Sequence, residues 1–229
     1  MTAEAAARSG AGLVSAALHP THAVAQAASC PEVMFRGVSS ASELEHLASR
    51  ATVLALGPGL GADDWARTAY RAVLDLHRPL VVDADGLNLL AQEPKRREDW
   101  ILTPHPGEAG RLLGCETAEI ESDRLAAAAR IQQRYGGVCL LKGVGTVVAA
   151  ADDGPWICTG GNPGMASGGM GDVLTGVVSG LLAQGLPAPI AARLGVHIHA
   201  AAADAAAECG ERGLLARDLM AMLRRLVNP

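Results

Sequence analysis

The chain has 229 residues, of which 49 % are hydrophobic and 19 % charged, and its net charge is −5. This length and composition predict one well-packed α/β domain, and the acidic balance argues against nucleic acid as a partner. The five cysteines are widely spaced and odd in number, which suggests neither a disulfide framework nor a CxxC metal site and favours a reducing cytoplasm. We see no membrane-spanning apolar run and no signal-peptide pattern.

Short apolar runs alternate with longer helical patterns along the chain. After a helix over residues 1–9, the apolar runs predict strands over residues 12–16, 53–56, 80–82, 100–103 and 138–141, then a hairpin over 146–150 and 156–159 that turns at 152–155. Periodic segments predict helices over residues 63–76, 106–113, 119–135, 172–183, 188–209 and 216–226. This alternation predicts a doubly wound, mostly parallel sheet with helices on both faces.

Four polar or glycine-rich segments follow predicted strands, at residues 57–61, 83–88, 103–108 and 142–146. Ligands of open parallel sheets bind outside the carboxyl ends of the strands. None of the four segments has the spacing of a dinucleotide fingerprint or a P-loop. We therefore expect them to meet at one edge of the sheet and to form a site of another kind.

The first two segments each have a plain structural interpretation. Residues 57–61, GPGLG, are also compatible with an ordinary strand-to-helix turn. Asp83 and Asp85 are suited to capping or turn positions. In the functional interpretation, the alternation of the two side chains turns one carboxylate towards a ligand or a metal-bound water, while the other carboxylate holds a loop. Asn88 would add amide hydrogen bonds to the same pocket.

His105 and Lys142 are the candidate polar groups of the other two segments. His105 lies between two prolines, whose rings make the loop rigid, so it is either a half-buried loop histidine or a fixed donor to a polar substrate. Glu108 fits the first turn of the next helix. Lys142 ends an apolar strand and needs an anionic partner. That partner is either a phosphate, with Thr146 adding a hydroxyl, or a carboxylate across the strand ends.

Residues 160–180 combine many glycines, an apolar helical run and one carboxylate, Asp172, at their junction. A helix start attracts anions, and glycines let a polyphosphate approach the backbone closely. A carboxylate there is suited to take a proton from a hydroxyl that is being phosphorylated. The segment therefore predicts phosphoryl transfer; the alternative is a flexible loop that merely caps the helix.

Five motifs together resemble one family. LGPGLG, VVDADGLNLL, LTPHPGEAGRLLG, LLKGVGTVV and NPGMASGGMGDVLTG are similar to those of the ADP/ATP-dependent NAD(P)H-hydrate dehydratases, the C-terminal domain type of the YjeF proteins, in the ribokinase-like superfamily. The resemblance implies a three-layer α/β/α fold with residues 1–229 as a single domain. It also implies an N-terminal truncation relative to the family, whose first strand and Gly/Ala-rich loop precede the helix that here begins at Met1.

The resemblance implies a repair reaction. Family members return hydrated NADH and NADPH (S epimer) to the intact dinucleotide by phosphorylating the ring hydroxyl and eliminating phosphate. The donor is ADP or ATP, and Mg²⁺ is expected to bridge its phosphates, although we see no dedicated all-protein metal site. The resemblance further implies a homo-oligomer, a tetramer, in the cytoplasm.

The resemblance also assigns roles by position. Asp172 is the base and a substrate contact, next to an anion hole formed by Gly169, Met170 and Gly171. The nucleotide-binding positions are Lys142, Gly143, Val144, Gly145, Thr146 and Gly171. The positions that would bind the hydrated dinucleotide are Gly59 and His105, with Asp85 and Asn88 lining its pocket.

Two other functions compete with the dehydratase. One is a small-molecule kinase of the same superfamily, acting on a vitamin precursor or a sugar. The other is a catalytically inactive nucleotide-binding subunit, favoured by the missing first strand. The PHPGE and DADGLN segments favour the dehydratase over the kinase, and the presence of Asp172 argues against an inactive subunit.

Overall fold

The computed structural model describes residues 1–151 and 153–228. The helices are α1 (Thr2–Arg8), α2 (Pro20–Ala27), α3 (Ala41–Ala48), α4 (Asp64–Asp75), α5 (Ala84–Gln92), α6 (Pro106–Leu113), α7 (Thr117–Ser122), α8 (Arg124–Tyr135), α9 (Met170–Ala183), α10 (Ala188–Ala206) and α11 (Leu219–Leu226). The strands are β1 (Ser15–Leu18), β2 (Met34–Gly37), β3 (Leu54–Leu56), β4 (Leu80–Val82), β5 (Trp100–Leu102), β6 (Val138–Leu141), β7 (Thr146–Ala150) and β8 (Asp153–Cys158). Short 3-10 turns lie at Pro163–Met165, Ala207–Cys209 and Ala216–Asp218.

The main sheet runs from β3 to β8 in chain order. Strands β3, β4, β5 and β6 are parallel, with Leu80 opposite both Leu54 and Trp100. Strands β6, β7 and β8 then form an antiparallel meander. The predicted mostly parallel sheet is therefore confirmed, with the predicted hairpin at its end.

Two hydrophobic cores cover the two faces of this sheet. Val81 and Ile101 pack in one core with α1, α9, α10 and α11. Their strand neighbours Leu80, Val82 and Leu102 pack in the other core with α3 to α8. Successive strand side chains point to opposite faces, so short all-apolar strands supply both cores at once. The predicted three-layer α/β/α architecture is confirmed.

Helices α1 and α9 approach closely through small residues. A Cβ atom at Gly176 would lie 2.2 Å from the carbonyl oxygen of Thr2, and one at Gly180 would lie 2.8 Å from that of Ala6. With aromatic residues at only 3 % of the chain, close helix packing replaces the bulk of large rings. Glycine has no Cβ and permits this approach.

The prediction of a strand over residues 12–16 is wrong in its bounds and in its sheet. Strand β1 begins at Ser15 and pairs in parallel with β2, Ser15 opposite Met34, in a separate two-stranded sheet. The sequence analysis also misses α2, β2, α3 and α5. Both strands of the small sheet are partly exposed, so neither carries the continuous apolar run that marks a buried strand.

Two predicted boundaries also change. The single helix predicted over residues 119–135 is α7 and α8, separated at Asp123, whose Oδ1 accepts a hydrogen bond from the backbone N of Ala126 at 2.9 Å. Such capping ends one helix and begins the next. Of the predicted turn at residues 152–155, Asp152 lies outside the described residues, and Gly154 and Pro155 lie in β8.

Candidate active site

The loops that follow β3, β4, β5 and β6 are hydrogen-bonded to one another at one edge of the sheet. The backbone N of Asp83 donates to Leu56 O at 3.0 Å, and that of Lys142 donates to Pro104 O at 2.8 Å. The backbone N of Gly61 donates to Asp85 Oδ2 at 2.8 Å. The predicted meeting of the four polar segments is confirmed.

A buried ion pair lies at the centre of this edge. Lys142 Nζ donates to Asp83 Oδ1 at 2.5 Å, and Thr175 Oγ1 donates to Asp83 Oδ2 at 2.7 Å. Burial alone would raise the pKa of Asp83, but the Lys142 charge and the hydrogen bonds from Lys142, Thr175 and Thr103 outweigh it and hold that pKa below its usual value. Of the two partners considered for Lys142, the structure contains the carboxylate across the strand ends.

Helix α9 begins beside this pair without a capping side chain. Its N-cap is Gly169, in the left-handed region at φ 88°, which makes no side-chain capping bond. A Cβ atom at Gly171 would lie 3.2 Å from Lys142 Nζ and 3.6 Å from Asp83 Oδ2. The ammonium group of the ion pair therefore lies next to a helix start, whose unpaired N–H groups attract anions.

Asp172 lies in the first turn of α9, partly buried. Burial raises the pKa of Asp172, and the nearby Asp83 carboxylate raises it further; Lys142 acts in the opposite direction. A carboxylate whose pKa is raised is a stronger base than an exposed one. The arrangement suits proton abstraction beside an anion site.

The glycine-rich loop before α9 is attached to α10. Asp204 accepts hydrogen bonds from the backbone N of Gly161 at 3.0 Å and from Asn162 Nδ2 at 2.9 Å. Near the other end of the loop, the ring of His199 bonds to the backbone of Met170; burial lowers the pKa of His199 to about 4, so the ring is neutral. Helix α10 thus fixes both ends of the loop.

His105 is the N-cap of α6. Its Nδ1 accepts from the backbone N of Gly107 at 3.0 Å, while Glu108 Oε2 accepts from the backbone N of His105 at 2.8 Å. With Nδ1 as acceptor, the proton of a neutral ring lies on Nε2, 3.4 Å from Glu108 Oε1. The side chain is 51 % exposed, so this donor faces the site edge, and Glu108 lies in the first helical turn as predicted.

Asp83 and Asp85 point in opposite directions because of the residue between them. Ala84 has φ 48°, a left-handed conformation that side chains rarely adopt. Asp83 consequently turns inwards to Lys142, whereas Asp85 holds the loop after β3 through the N–H of Gly61. The part of the interpretation in which one carboxylate holds a loop is confirmed for Asp85, but Asp83 faces Lys142 and Thr175 rather than a ligand or a metal-bound water.

Gly59 and Asn88 lie on the outer part of the same edge. Gly59 has φ 66°, and a Cβ atom there would meet no atom within 4 Å, so the loop is open at this point. Asn88 Oδ1 accepts from Arg111 Nη1 at 3.0 Å. The sequence analysis did not include Arg111, Thr175 or Asp204 among the site residues. Of these, only Thr175 could have been found from the sequence, because it lies three residues after Asp172 and therefore on the same helix face.

Residues 1–151 and 153–228 contain no group of three or more His, Cys, Asp or Glu side chains able to hold a metal ion. In the same part of the chain no helix combines the length and apolar character needed to cross a membrane.

Comparisons with known proteins agree with this geometry. A family model described as NAD(P)H-hydrate dehydratase matches residues 1–225. The chain is 54 % identical over 230 residues to a bifunctional NAD(P)H-hydrate repair enzyme of Coxiella burnetii, covering 100 % of this chain and 47 % of that protein. It is 38 % identical over 208 residues to an ADP-dependent (S)-NAD(P)H-hydrate dehydratase of Neisseria meningitidis, covering 86 % of this chain and 69 % of that protein.

Solved structures show the same fold. A ribokinase-like superfamily protein of Enterococcus faecalis has a TM-score of 0.89 and 32 % identity, covering 99 % of this chain and 80 % of that one. An ADP/ATP-dependent NAD(P)H-hydrate dehydratase of Bacillus subtilis, co-crystallised with ATP/Mg²⁺ and soaked with CoA, has a TM-score of 0.81 and 29 % identity, covering 98 % and 84 %. The chain spans about half the length of the bifunctional relative. With a ribokinase-like fold and a family match along nearly its whole length, the chain belongs to the NAD(P)H-hydrate dehydratase family.

Proposed function

We propose that this protein dehydrates hydrated NADH and NADPH of the S epimer back to the intact dinucleotides, with ADP or ATP as phosphoryl donor. The observation that carries the proposal is Asp172 in the uncapped first turn of α9, beside the Lys142 ammonium. The Neisseria relative is an ADP-dependent and the Bacillus relative an ADP/ATP-dependent dehydratase, which supports both nucleotides as donors.

The chemistry has two steps. Asp172 takes the proton of the ring hydroxyl while that oxygen bonds to the terminal phosphorus, and the bond from phosphorus to the leaving AMP or ADP breaks. The N–H groups of Gly169, Met170 and Gly171, with Lys142, stabilise the transferring group. The ring carbon–oxygen bond then breaks, phosphate departs with the electron pair, and loss of a ring proton restores the double bond.

The proposed binding positions form two sets. Lys142, Gly143, Val144, Gly145, Thr146 and Gly171 would bind the nucleotide, since the loop after β6 lies against the start of α9. The half-exposed side chain of His105 and the open loop at Gly59 would contact the hydrated dinucleotide. Asp85 and Asn88 would line that pocket.

Among the residues that the structure describes, no cluster of side chains offers Mg²⁺ a cage. Asp83 is occupied by Lys142 and Thr175, and Glu108 by the backbone of His105. A magnesium ion that arrives with the nucleotide would therefore take most of its ligands from phosphate oxygens and water, its usual preference. When bound there, it would neutralise part of the phosphate charge.

We also propose that residues 1–229 form a single domain and that the protein is a homo-oligomer, a tetramer by family resemblance. Sedimentation equilibrium tests this: a mass of one chain at all concentrations would contradict it.

The direct test is an assay with hydrated NADPH, Mg²⁺ and either ADP or ATP. We expect the dihydronicotinamide absorbance to recover with nucleotide and not without it. Asp172→Asn should lower turnover by roughly 10²–10⁴-fold, the usual contribution of a general base, while nucleotide binding by calorimetry is retained. Asp64→Asn, in the exposed first turn of α4, is the control. A stable phosphorylated product without recovered NADPH would instead identify a kinase.

A further inference from the structure

The loop between β6 and β7 has little of its own to hold its shape. Gly143 and Gly145 have no side chains, and Val144 is 99 % exposed. At its start, Lys142 is held through its backbone N to Pro104 O at 2.8 Å and through its Nζ to Asp83 Oδ1 at 2.5 Å; beyond Lys142, Thr146 Oγ1 donates to Gly143 O at 3.1 Å. A segment that buries almost no apolar surface depends on hydrogen bonds for its order.

Arg124, the first residue of α8, supplies those bonds. Its Nη2 donates to Leu141 O at 3.3 Å and to Lys142 O at 3.1 Å, and its Nη1 donates to Val144 O. The planar guanidinium group presents its donors in a fixed fork. The side chain is only 16 % exposed, and its bonds to Leu141 O and Lys142 O are partly buried.

The start of α8, which carries Arg124, is itself fixed by a helix cap. Asp123 caps α8 by accepting from the backbone N of Ala126 at 2.9 Å. Across the contact, a Cβ atom at Gly143 would lie 2.7 Å from Arg124 Nη2, and Gly143 has φ 141°. The loop has glycine at the point where the guanidinium group passes, so the two residues fit each other.

We propose that Arg124 is a positioning residue for the nucleotide, acting through the loop at residues 142–146. Arg124 holds the carbonyl oxygens of Leu141, Lys142 and Val144 towards α8. Carbonyl dipoles directed at a polyphosphate would repel it, so a cation that turns them away favours nucleotide binding. This inference rests on the proposed function only in that residues 142–146 bind the nucleotide.

The experiment compares Arg124→Ala and Arg124→Lys with Arg130→Ala. Arg130 lies on the same helix, exposed, and pairs with Glu119 at 3.0 Å, which makes it a matched control. We expect Arg124→Ala to weaken ADP and ATP binding by roughly 10- to 100-fold in calorimetry, from the loss of bonds to a charged donor. Arg124→Lys should recover part of this loss, and Arg130→Ala should bind as the wild type does.

The kinetic readout separates positioning from mere stability. In Arg124→Lys, which keeps the charge and the helix, KM for the nucleotide should rise while KM for hydrated NADPH stays unchanged. Arg124 variants that bind nucleotide like the wild type and only melt earlier would overturn the proposal, as would equal increases in both KM values. If the wild-type protein binds nucleotide but does not recover NADPH, only the proposed dehydratase activity is refuted. The calorimetric comparison of the Arg124 variants would still decide the role of Arg124.

Discussion

Asp172 occupies a position where chemistry and folding stability conflict. Burial and the neighbouring Asp83 raise its pKa, which makes it a better base for the proposed proton transfer. The same surroundings disfavour its charged form in the folded protein. Such a group is expected at a catalytic site, because activity there is gained at some expense of stability.

The conflict gives a prediction for Asp172→Asn. The pKa of Asp172 in the folded protein lies above the ordinary value of 3.8. Between these two pKa values the native state binds more protons than the unfolded chain, so the free energy of unfolding falls as pH rises through that window. Asparagine is neutral throughout, so the variant should gain stability relative to wild type on going from pH 3 to pH 7. The measurement is the difference in Tm between the variant and the wild type at pH 3 and at pH 7, which should shift in favour of the variant as pH rises.

Asp64→Asn is the control for this comparison. Asp64 is an exposed carboxylate in the first turn of α4, where negative charge is favourable. Its replacement should therefore lose stability at neutral pH. If Asp172→Asn melts below wild type at pH 7 by the same amount as Asp64→Asn, burial does not disfavour the Asp172 charge.

The contact between α1 and α9 supports the helix that carries Asp172. In Gly176→Ala, the new methyl group would lie 2.2 Å from Thr2 O and 2.6 Å from Ala5 Cβ. Alanine favours a helix over glycine by about 0.8–1 kcal/mol. Overpacking costs about 1–3 kcal/mol, and the backbone oxygen of Thr2 cannot move aside as a flexible side chain would. We expect a net loss of about 1–2 kcal/mol of unfolding free energy in urea titrations.

Gly12→Ala is the matched substitution. A Cβ atom at Gly12 meets no atom within 4 Å, so the change should stay within about 0.5 kcal/mol of wild type. A Gly176→Ala protein as stable as Gly12→Ala would show that α1 does not pack on α9 as closely as the structure has it.

The elements that the sequence predicts well are those buried on both faces. Strands such as β4 and β6 are continuous apolar runs and match their predictions residue for residue. Strand β2 is partly exposed and has no such pattern. Helix α5 is hidden for another reason: it starts directly after β4 through Ala84 at φ 48°, and DADGLN looks like a loop.

The site is a property of the whole molecule, because its groups come from four loops and one helix. The sequence placed Asp83, His105 and Lys142 at one edge by the rule for parallel strands, and it singled out Asp172 separately, from the glycine-rich start of a helix. It left two partners open for Lys142, because only the folded chain brings Asp83 within 2.5 Å. The loop contacts of Arg124 and Asp204 likewise depend on tertiary approach, which no local pattern encodes.

The central claim is that the ring hydroxyl leaves as phosphate rather than as water. Hydrated NADPH prepared in heavy-oxygen water carries the label on that hydroxyl. Incubated with the protein, Mg²⁺ and ADP or ATP, it should release inorganic phosphate containing one labelled oxygen for each NADPH recovered, by mass spectrometry. Recovered NADPH together with unlabelled phosphate would contradict phosphorylation of the hydroxyl and, with it, the role proposed for Asp172.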